Sequence, residues 1–557
     1  MLQIYCTNTG TAESFPEGST LYDVLQSFDF PQPYPIVSAR VNNTSQGLKF
    51  RVYQNRDVEF LDVRDGGGMR AYVRSLCFVL YKAVADSFPA WRVFMDHPIS
   101  GGYYCHVERP DGQGINPQDI DVIRTRMQDL IDHDVPFRRN ETHTDEAIRI
   151  FHDRGMDDKA QLLETSGSVY TDYYTLGETV DYYYGCLVPS TGYLTLWGLE
   201  PYHEGMLLRI PDRHDPSRLA PFVDQPHTFA VFEEYKRWND IMSLSNVGDV
   251  NAAIQRGQAS ELLQVSEALQ ERKIVKIAEE IERRYADKER PARIVLITGP
   301  SSSGKTTFCK RLSIQLLTCG LKPLSFSTDD YFVNRVDTPK FPDGRYDFDN
   351  IKAVDTKTFE RDLQALVRGE EVEVPEYNFT TGLREYNGKR LQLQQGSVLL
   401  IEGIHALNPE LTSLVPNETK FRIFVSALTS VSLDSHNWIP TSDNRLLRRI
   451  IRDYNKGAFS ARETIRQWPL VRDGEERWIL PHQEQADVMF NSAMTIEFAV
   501  LRRHAEPILR SVPKNCTEYS QAHRLLRFLS YFVPYSDKEI PPTSIMREFV
   551  GGSSFKY

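Results

Sequence analysis

Arg293-Ile294-Val295-Leu296-Ile297-Thr298-Gly299-Pro300-Ser301-Ser302-Ser303-Gly304-Lys305-Thr306-Thr307 is the stretch on which the reading of this chain turns. Residues 299–306 fit the pattern G-x-x-x-x-G-K-[ST]. The apolar run Arg293–Thr298 predicts a strand buried on both faces. A helix is expected over Thr307–Leu317, with Cys309, Leu312, Ile314, Leu316 and Leu317 available for burial. Strand, glycine loop and helix in that order let consecutive backbone N–H groups face one anion at a helix N-terminus. Gly299, Pro300, Ser301, Ser302, Ser303, Gly304, Lys305, Thr306 and Thr307 are therefore the candidate ATP-binding residues. In such a loop the lysine reaches the β- and γ-phosphates and the Thr306 hydroxyl ligates Mg²⁺.

Two carboxylates stand at the ends of further predicted strands. Pro323–Ser327 runs into Thr328-Asp329-Asp330, and Val398–Ile401 runs into Glu402-Gly403. Carboxylates at the C-terminal ends of parallel strands face the ligand crevice. Asp329 is suited to accept a proton from a substrate hydroxyl or to hold the water shell of a metal. Glu402 is suited to Mg²⁺ through water. Arg445, Arg448, Arg449 and Arg452 fall on one helix face, with Leu446, Leu447, Ile450, Ile451 and Tyr454 on the other. That stripe reads either as a clamp for phosphate charge or as a salt-bridged helix face.

Around this centre the chain extends to 557 residues, of which 41% are hydrophobic and 25% charged, so it is globular and long enough for several domains. The formal net charge of -11 disfavours a nucleic-acid partner. Seven scattered cysteines without a C-x-x-C, no span-length apolar run and no basic leader lead to the expectation of a reduced, cytoplasmic, non-membrane protein. Five blocks are expected: 1–64 of short strands, 65–212 of mixed helix and strand, a helical connector at 213–290, an alternating strand–helix block at 291–512 and a tail at 513–557. Gly66-Gly67-Gly68 reads as a hinge, Ser19-Thr20 as the cap of a helix holding Leu21, Val24 and Leu25, and Tyr34–Val41 as a strand. Leu269, Ile274, Ile277, Ala278 and Ile281 form an apolar helical stripe that would pack the connector on a neighbour.

The block 291–512 resembles the uridine kinase and phosphoribulokinase family of P-loop kinases. The likeness is carried by residues 299–306, Ser327-Thr328-Asp329-Asp330-Tyr331-Phe332, Tyr346-Asp347-Phe348-Asp349, Tyr377-Asn378-Phe379-Thr380-Thr381-Gly382-Leu383-Arg384 and Ile401-Glu402-Gly403-Ile404. It implies Asp329 and Lys305 as catalytic residues and Thr306 and Glu402 as metal residues. Asp349, Tyr377, Phe379, Arg384, Arg449 and Arg452 become the substrate-binding set, with ATP and Mg²⁺ as cofactors. Two positions depart from the family pattern: Gly382 stands where it has a histidine, and Asn455-Lys456-Gly457-Ala458-Phe459 replaces its Arg-Gly-Arg run.

Residues 1–64 resemble the TGS domain, a β-grasp module at the front of threonyl-tRNA synthetase, through Phe15-Pro16-Glu17-Gly18-Ser19-Thr20-Leu21 and Ala39-Arg40-Val41-Asn42. Residues 65–212 resemble that synthetase's editing domain, through His97–Tyr104, Asp134–Phe137 and Gly185–Gly192. Its H-x-x-x-H pair is replaced by Arg70 and Arg74, and its Cys and His by Tyr183 and Leu187, which implies a module without the chemistry. Arg70 and Arg74 read as an anion site or as a solvated helix face. The expected architecture is thus α/β and multidomain: β-grasp, α+β editing-like, helical connector and parallel α/β kinase. The expected activity is transfer of the ATP γ-phosphoryl group to a hydroxyl of a small molecule, by resemblance the 5′-OH of a nucleoside. The alternatives are a nucleotide-dependent regulator or tRNA-binding protein and a sugar-phosphate kinase; the oligomeric state stays open.

Overall fold

The computed structural model describes residues 1–289 and 291–556. Arg290 and Tyr557, at the ends of the expected connector and tail, lie outside the described residues. At the front, a five-stranded mixed sheet runs in the order Thr11–Phe15, Leu2–Cys6, Arg56–Leu61, Ser38–Val41, Thr44–Gln46. The helix Leu21–Leu25 is held by a capping box in which Thr20 and Asp23 exchange hydrogen bonds, as Ser19-Thr20 suggested. The strand expected from Tyr34 begins only at Ser38. Pro33 and Pro35 lack the N–H a ladder needs.

Gly66-Gly67-Gly68 is not a hinge. These residues open the helix Gly66–Ser87, whose N-cap Asp65 accepts from Gly67 N. A Cβ on Gly68 would lie 2.0 Å from the Asp62 carbonyl oxygen, so that glycine serves close packing of helix on sheet. Beyond it lie a four-stranded antiparallel sheet (Arg92–Ile99, Gly102–Glu108, Gly198–Tyr202, Gly205–Arg209) and a three-stranded one (Phe137–His143, Tyr170–Leu176, Thr179–Asp181).

Residues 213–225 are irregular, and three helices follow: Pro226–Ile241, Val247–Gln255 and Ala259–Tyr285. In the last, Ile274, Ile277, Ala278 and Ile281 are buried and Leu269 half-buried. The stripe covers one face of the parallel sheet that follows. Arg311 ties the helix down through Glu267 at 3.2 Å and Glu271 at 2.6 Å.

That sheet is all parallel, in the order Lys322–Ser327, Ser397–Glu402, Ile294–Thr298, Lys420–Ser426, Val488–Asn491. Its side chains alternate between two apolar layers: Ile294, Leu296, Leu399 and Ile401 face one, Val295, Ile297, Val398 and Leu400 the other. Burial on both sides is why these strands read as unbroken apolar runs. The loop helix spans Lys305–Thr318; it buries Cys309, Leu312 and Leu316 but leaves Ile314 and Leu317 exposed, contrary to expectation. Those two lie on the face turned away from the sheet.

The blocks are not separate beads. One core cluster joins Phe151, Leu163 and Tyr182 of the front half, Leu244–Leu263 of the connector, Leu446–Ile451 of the arginine helix (Thr441–Asn455) and Leu525–Phe532 of the tail. A buried charge cluster lies in the same seam. Lys159 meets Asp181 at 3.0 Å and Asp434 at 2.6 Å, and His436 pairs with Asp181 at 2.8 Å. No helix among the described residues is long and apolar enough to cross a membrane.

Candidate active site

The glycine loop lies at the C-terminal edge of the parallel sheet, between Ile294–Thr298 and the loop helix. Gly299 is required by contact: a Cβ there would lie 2.0 Å from the Val425 carbonyl oxygen. Gly304 caps the helix at φ +84°, a left-handed conformation, and Ser302 also sits at positive φ (+60°). The loop is held from outside. Arg445 donates to Ser301 O (3.1 Å), Arg448 to Ser302 O (3.3 Å) and Ser492 to Ser303 O (2.6 Å). Those contacts turn the carbonyls outward. The backbone N–H groups of Gly304, Lys305 and Thr306 then have no protein acceptor among the described residues, and the Ser302 and Ser303 hydroxyls are buried without partners. Lys305 is buried and folds back to donate to Pro300 O at 3.2 Å. Thr306 is half-buried, and the Thr307 N–H and hydroxyl both donate to Glu548 of the tail.

Two acids converge on this lysine. Ser327 pairs in register with Glu402, so both strands end at one level. Asp329 stands in the short turn Thr328–Tyr331 that follows, capped by Ser327. The turn crosses directly over Gly403, where a Cβ would meet the Thr328 hydroxyl at 1.7 Å. Burial raises the Asp329 carboxyl above its ordinary value, against the pull of Lys305. Burial lifts Glu402 to about 7; Lys305 opposes this, while Asp329 and Glu548 add to it. Asp349 packs on Gly474, where a Cβ would come within 2.5 Å of its own Cβ. Burial lifts Asp349 to about 7 against Arg449, with Glu475, Asp347 and Asp329 contributing in the same sense as burial.

The four arginines divide by burial. Arg445 and Arg448 are fully buried, pairing with Glu475 and Glu497 respectively. Arg449 remains half-buried and donates to the Ser301 hydroxyl at 3.0 Å; Arg452 pairs with Asp453 at 3.0 Å. Tyr454, read as part of the apolar side, is instead exposed. Three members of the stripe therefore touch the loop, and Arg449 and Arg452 keep partial exposure beside Asp453.

On the acceptor side, Phe332, Phe348, Tyr377 and Phe379 form a connected aromatic wall. Ring centroids are 5.5 Å apart for Phe332 and Tyr377, 4.9 Å for Tyr377 and Phe379, and 5.7 Å for Phe332 and Phe348. Phe379 is 58% exposed, and the Tyr377 hydroxyl is buried without a partner. Arg384 is committed to Asp355 at 2.8 Å and so holds the hairpin in place. Gly382 sits at φ +74° with the Arg335 side chain against it; a Cβ would lie 2.8 Å from Arg335 Cβ and Nε. Glu475, Glu548 and Arg335 escaped the sequence reading. Each acts across a long stretch of chain that no local pattern marks.

In the front half, Arg74 is buried 5.0 Å over the Tyr184 ring and packs against Gly185. Burial, then Arg524 and Arg74 nearby, lower the Arg70 guanidinium to about 10. Tyr183 and Leu187 are core residues. The reading as a solvated face is thereby corrected for Arg74, which turns inward against Tyr184, while Arg70 stays half-buried with its guanidinium beside Gly66 and Gly67.

A glycine loop opening a helix at the edge of a parallel sheet, with a lysine, two strand-end acids and arginines around it, defines a P-loop kinase domain. Residues 294–499 match the Phosphoribulokinase / Uridine kinase family. The chain is also 26% identical over 186 residues to the threonine–tRNA ligase of Carboxydothermus hydrogenoformans, covering 33% of this chain and 29% of that ligase. It is 28% identical over 186 residues to the ligase of Syntrophomonas wolfei, with coverage of 33% and 29%. The chain thus spans less than a third of the ligases it matches, and the match belongs to its front half. Among solved structures, a possible uridine kinase from Bacillus stearothermophilus aligns with TM-score 0.27 and 19% identity, covering 40% of this chain and 98% of that one.

Proposed function

We propose that the protein transfers the γ-phosphoryl group of ATP to a hydroxyl of a small planar acceptor, a nucleoside, and that Asp329 accepts the proton of that hydroxyl. The observation that carries the proposal is the convergence of Lys305, Asp329 and Glu402 on one sheet edge beside free loop N–H groups and an aromatic wall. Residues 299–307 fit a polyphosphate, because three N–H groups and two buried hydroxyls lack protein partners while a lysine stands beside them. The Thr306 hydroxyl and the Glu402 carboxylate fit Mg²⁺, which prefers oxygen donors and keeps waters. When bound, the ion neutralises phosphate charge.

This chain's own residues supply the rest. Asp329, made more basic by burial, takes the acceptor's proton. Arg449 reaches the loop at Ser301 and supplies donors for the transferring group, and Arg452, one turn on and paired with Asp453, adds positive charge beside it. Asp349 holds acceptor hydroxyls, and Tyr377 and Phe379 hold its plane. Arg384 positions the hairpin that carries them. The front half, 1–212, serves as a scaffold for the tail and the arginine helix.

The test is a screen of ATP consumption over nucleosides and phosphorylated sugars, with product mass measured. A phosphorylated nucleoside is expected, and Lys305→Ala abolishes it. Product on a sugar phosphate alone would overturn the acceptor assignment.

A further inference from the structure

We propose that the C-terminal segment gates the phosphate-binding loop, with the Glu548 carboxylate occupying the last place in the row of N–H groups that would receive phosphate. The inference rests on the reading of residues 299–307 as a polyphosphate site.

A helix leaves its first N–H groups without intrahelical acceptors. In the loop helix these belong to Gly304, Lys305, Thr306 and Thr307, since the Phe308 N–H is the first to find its partner, Gly304 O. Three of the four are free of protein acceptors among the described residues. The fourth is not: Thr307 N–H donates to Glu548 Oε2 at 3.2 Å, and the Thr307 hydroxyl donates to the same oxygen at 2.7 Å. A residue 241 positions away thus places an anion where the helix dipole and the loop favour one.

The surrounding segment is built to hold it there. Ile545 lies against Gly304, whose Cβ would come within 2.5 Å of Ile545 Cγ2. Phe549 is buried beneath the Arg448 guanidinium at 4.8 Å, and its carbonyl accepts from Asn455 at 3.1 Å. Arg547 folds the segment into a hook by donating to the carbonyls of Asp537 (2.7 Å), Ile540 (2.8 Å) and Gly551 (3.2 Å). The backbone is thereby fixed, whereas the Glu548 side chain is only half-buried and is held at its tip by the two Thr307 bonds. A carboxylate and a phosphate cannot share one N–H at hydrogen-bond distance, because two like charges so close repel by several times the thermal energy. Polyphosphate entry therefore requires Glu548 to swing out. The empty loop keeps its capping bond, and nucleotide affinity is held down by the work of displacement.

The test is calorimetric titration of the full chain with ATP and, separately, with inorganic tripolyphosphate, both without magnesium. Wild type, Glu548→Gln and Glu548→Ala are compared. Both variants are expected to bind both anions about tenfold or more tightly than wild type. Hydrogen exchange at residues 545–550 of the unliganded Gln variant should stay at the wild-type level, so that the gain reflects lost charge rather than a lost segment. Equal or weaker binding by the variants overturns the gate alone and makes Glu548 a fixed helix cap. Failure of all three proteins to bind either anion overturns the loop reading and the gate together.

Discussion

Lys159→Met is the sharpest perturbation of the seam between the front half and the kinase domain. Lys159 is fully buried between Asp181 at 3.0 Å, on the last strand of the three-stranded sheet, and Asp434 at 2.6 Å, in the loop that leads to the arginine helix. His436 holds the other face of Asp181 at 2.8 Å, with the Tyr81 ring tilted against it at a centroid distance of 4.3 Å. Asp158, next to the lysine, accepts from Ser435 at 2.7 Å, and Asn437 donates to Asp434. Methionine keeps the volume and removes the charge, leaving two buried carboxylates against one imidazole. Removing one partner of a buried ion pair costs about 3–5 kcal/mol.

The sign of the pH dependence follows from the two acids. Burial works against the Asp181 charge, but His436 and Lys159 outweigh it and hold the carboxyl below its ordinary value. Asp434 stays above its ordinary value because burial outweighs Lys159. Without the lysine both carboxyls rise, so the folded variant retains protons that its unfolded chain has released. Its stability then falls as pH increases. The deficit relative to wild type is largest near pH 7 and shrinks toward about pH 4, the unfolded carboxylate range. Hydrogen exchange is the suitable assay, since a chain of several modules need not unfold in one step. Amides of residues 157–166 and 441–455 should exchange about a hundredfold or more faster at neutral pH. Adding Asp434→Asn should recover part of the loss. A cost below about 1 kcal/mol, as for an exposed pair, or one that does not change with pH, would refute the reasoning.

Two further outcomes follow from the site. The Glu402 carboxyl is raised to about 7, so its stabilising contribution is full below the unfolded carboxylate value and is lost as pH rises through 7. Glu402→Gln should flatten the fall in melting temperature of the unliganded protein between about pH 4.5 and 7; parallel curves would count against the assignment. Arg445→Ala and Arg449→Ala should separate. The first leaves Glu475 buried without its main partner and lowers stability by about 3–5 kcal/mol, while the second leaves the melting temperature near wild type and slows phosphoryl transfer. Melting curves and turnover on the same preparations check both.

The parallel sheet was legible because burial on both faces leaves unbroken apolar strands, and the loop because glycine contacts and a helix start fix its residue types. The aromatic wall lay in three short blocks, of which Tyr377 and Phe379 were anticipated. Other features were written in contacts between distant residues. Gly66-Gly67-Gly68 carries the composition of a hinge, yet Gly68 is small because Asp62 leaves no room for a Cβ. The arginine stripe has one helical period, but which members are buried depends on Glu475 and Glu497, supplied by other helices. Glu548 has no local signature, because its role comes from the place where the tail crosses the loop. The seam through Lys159 was invisible for the same reason: its charges come from residues 159, 181, 434 and 436.

The most direct test of the central claim is transfer of label from γ-labelled ATP to the nucleoside identified in the screen, measured for wild type and Asp329→Asn at saturating substrates. The asparagine keeps the shape of the side chain and removes the proton acceptor. Loss of about 10²–10⁴-fold in kcat, with ATP binding retained, is the predicted result. Near-normal turnover by Asp329→Asn, or no transfer of label by the wild-type protein to any acceptor, would contradict it.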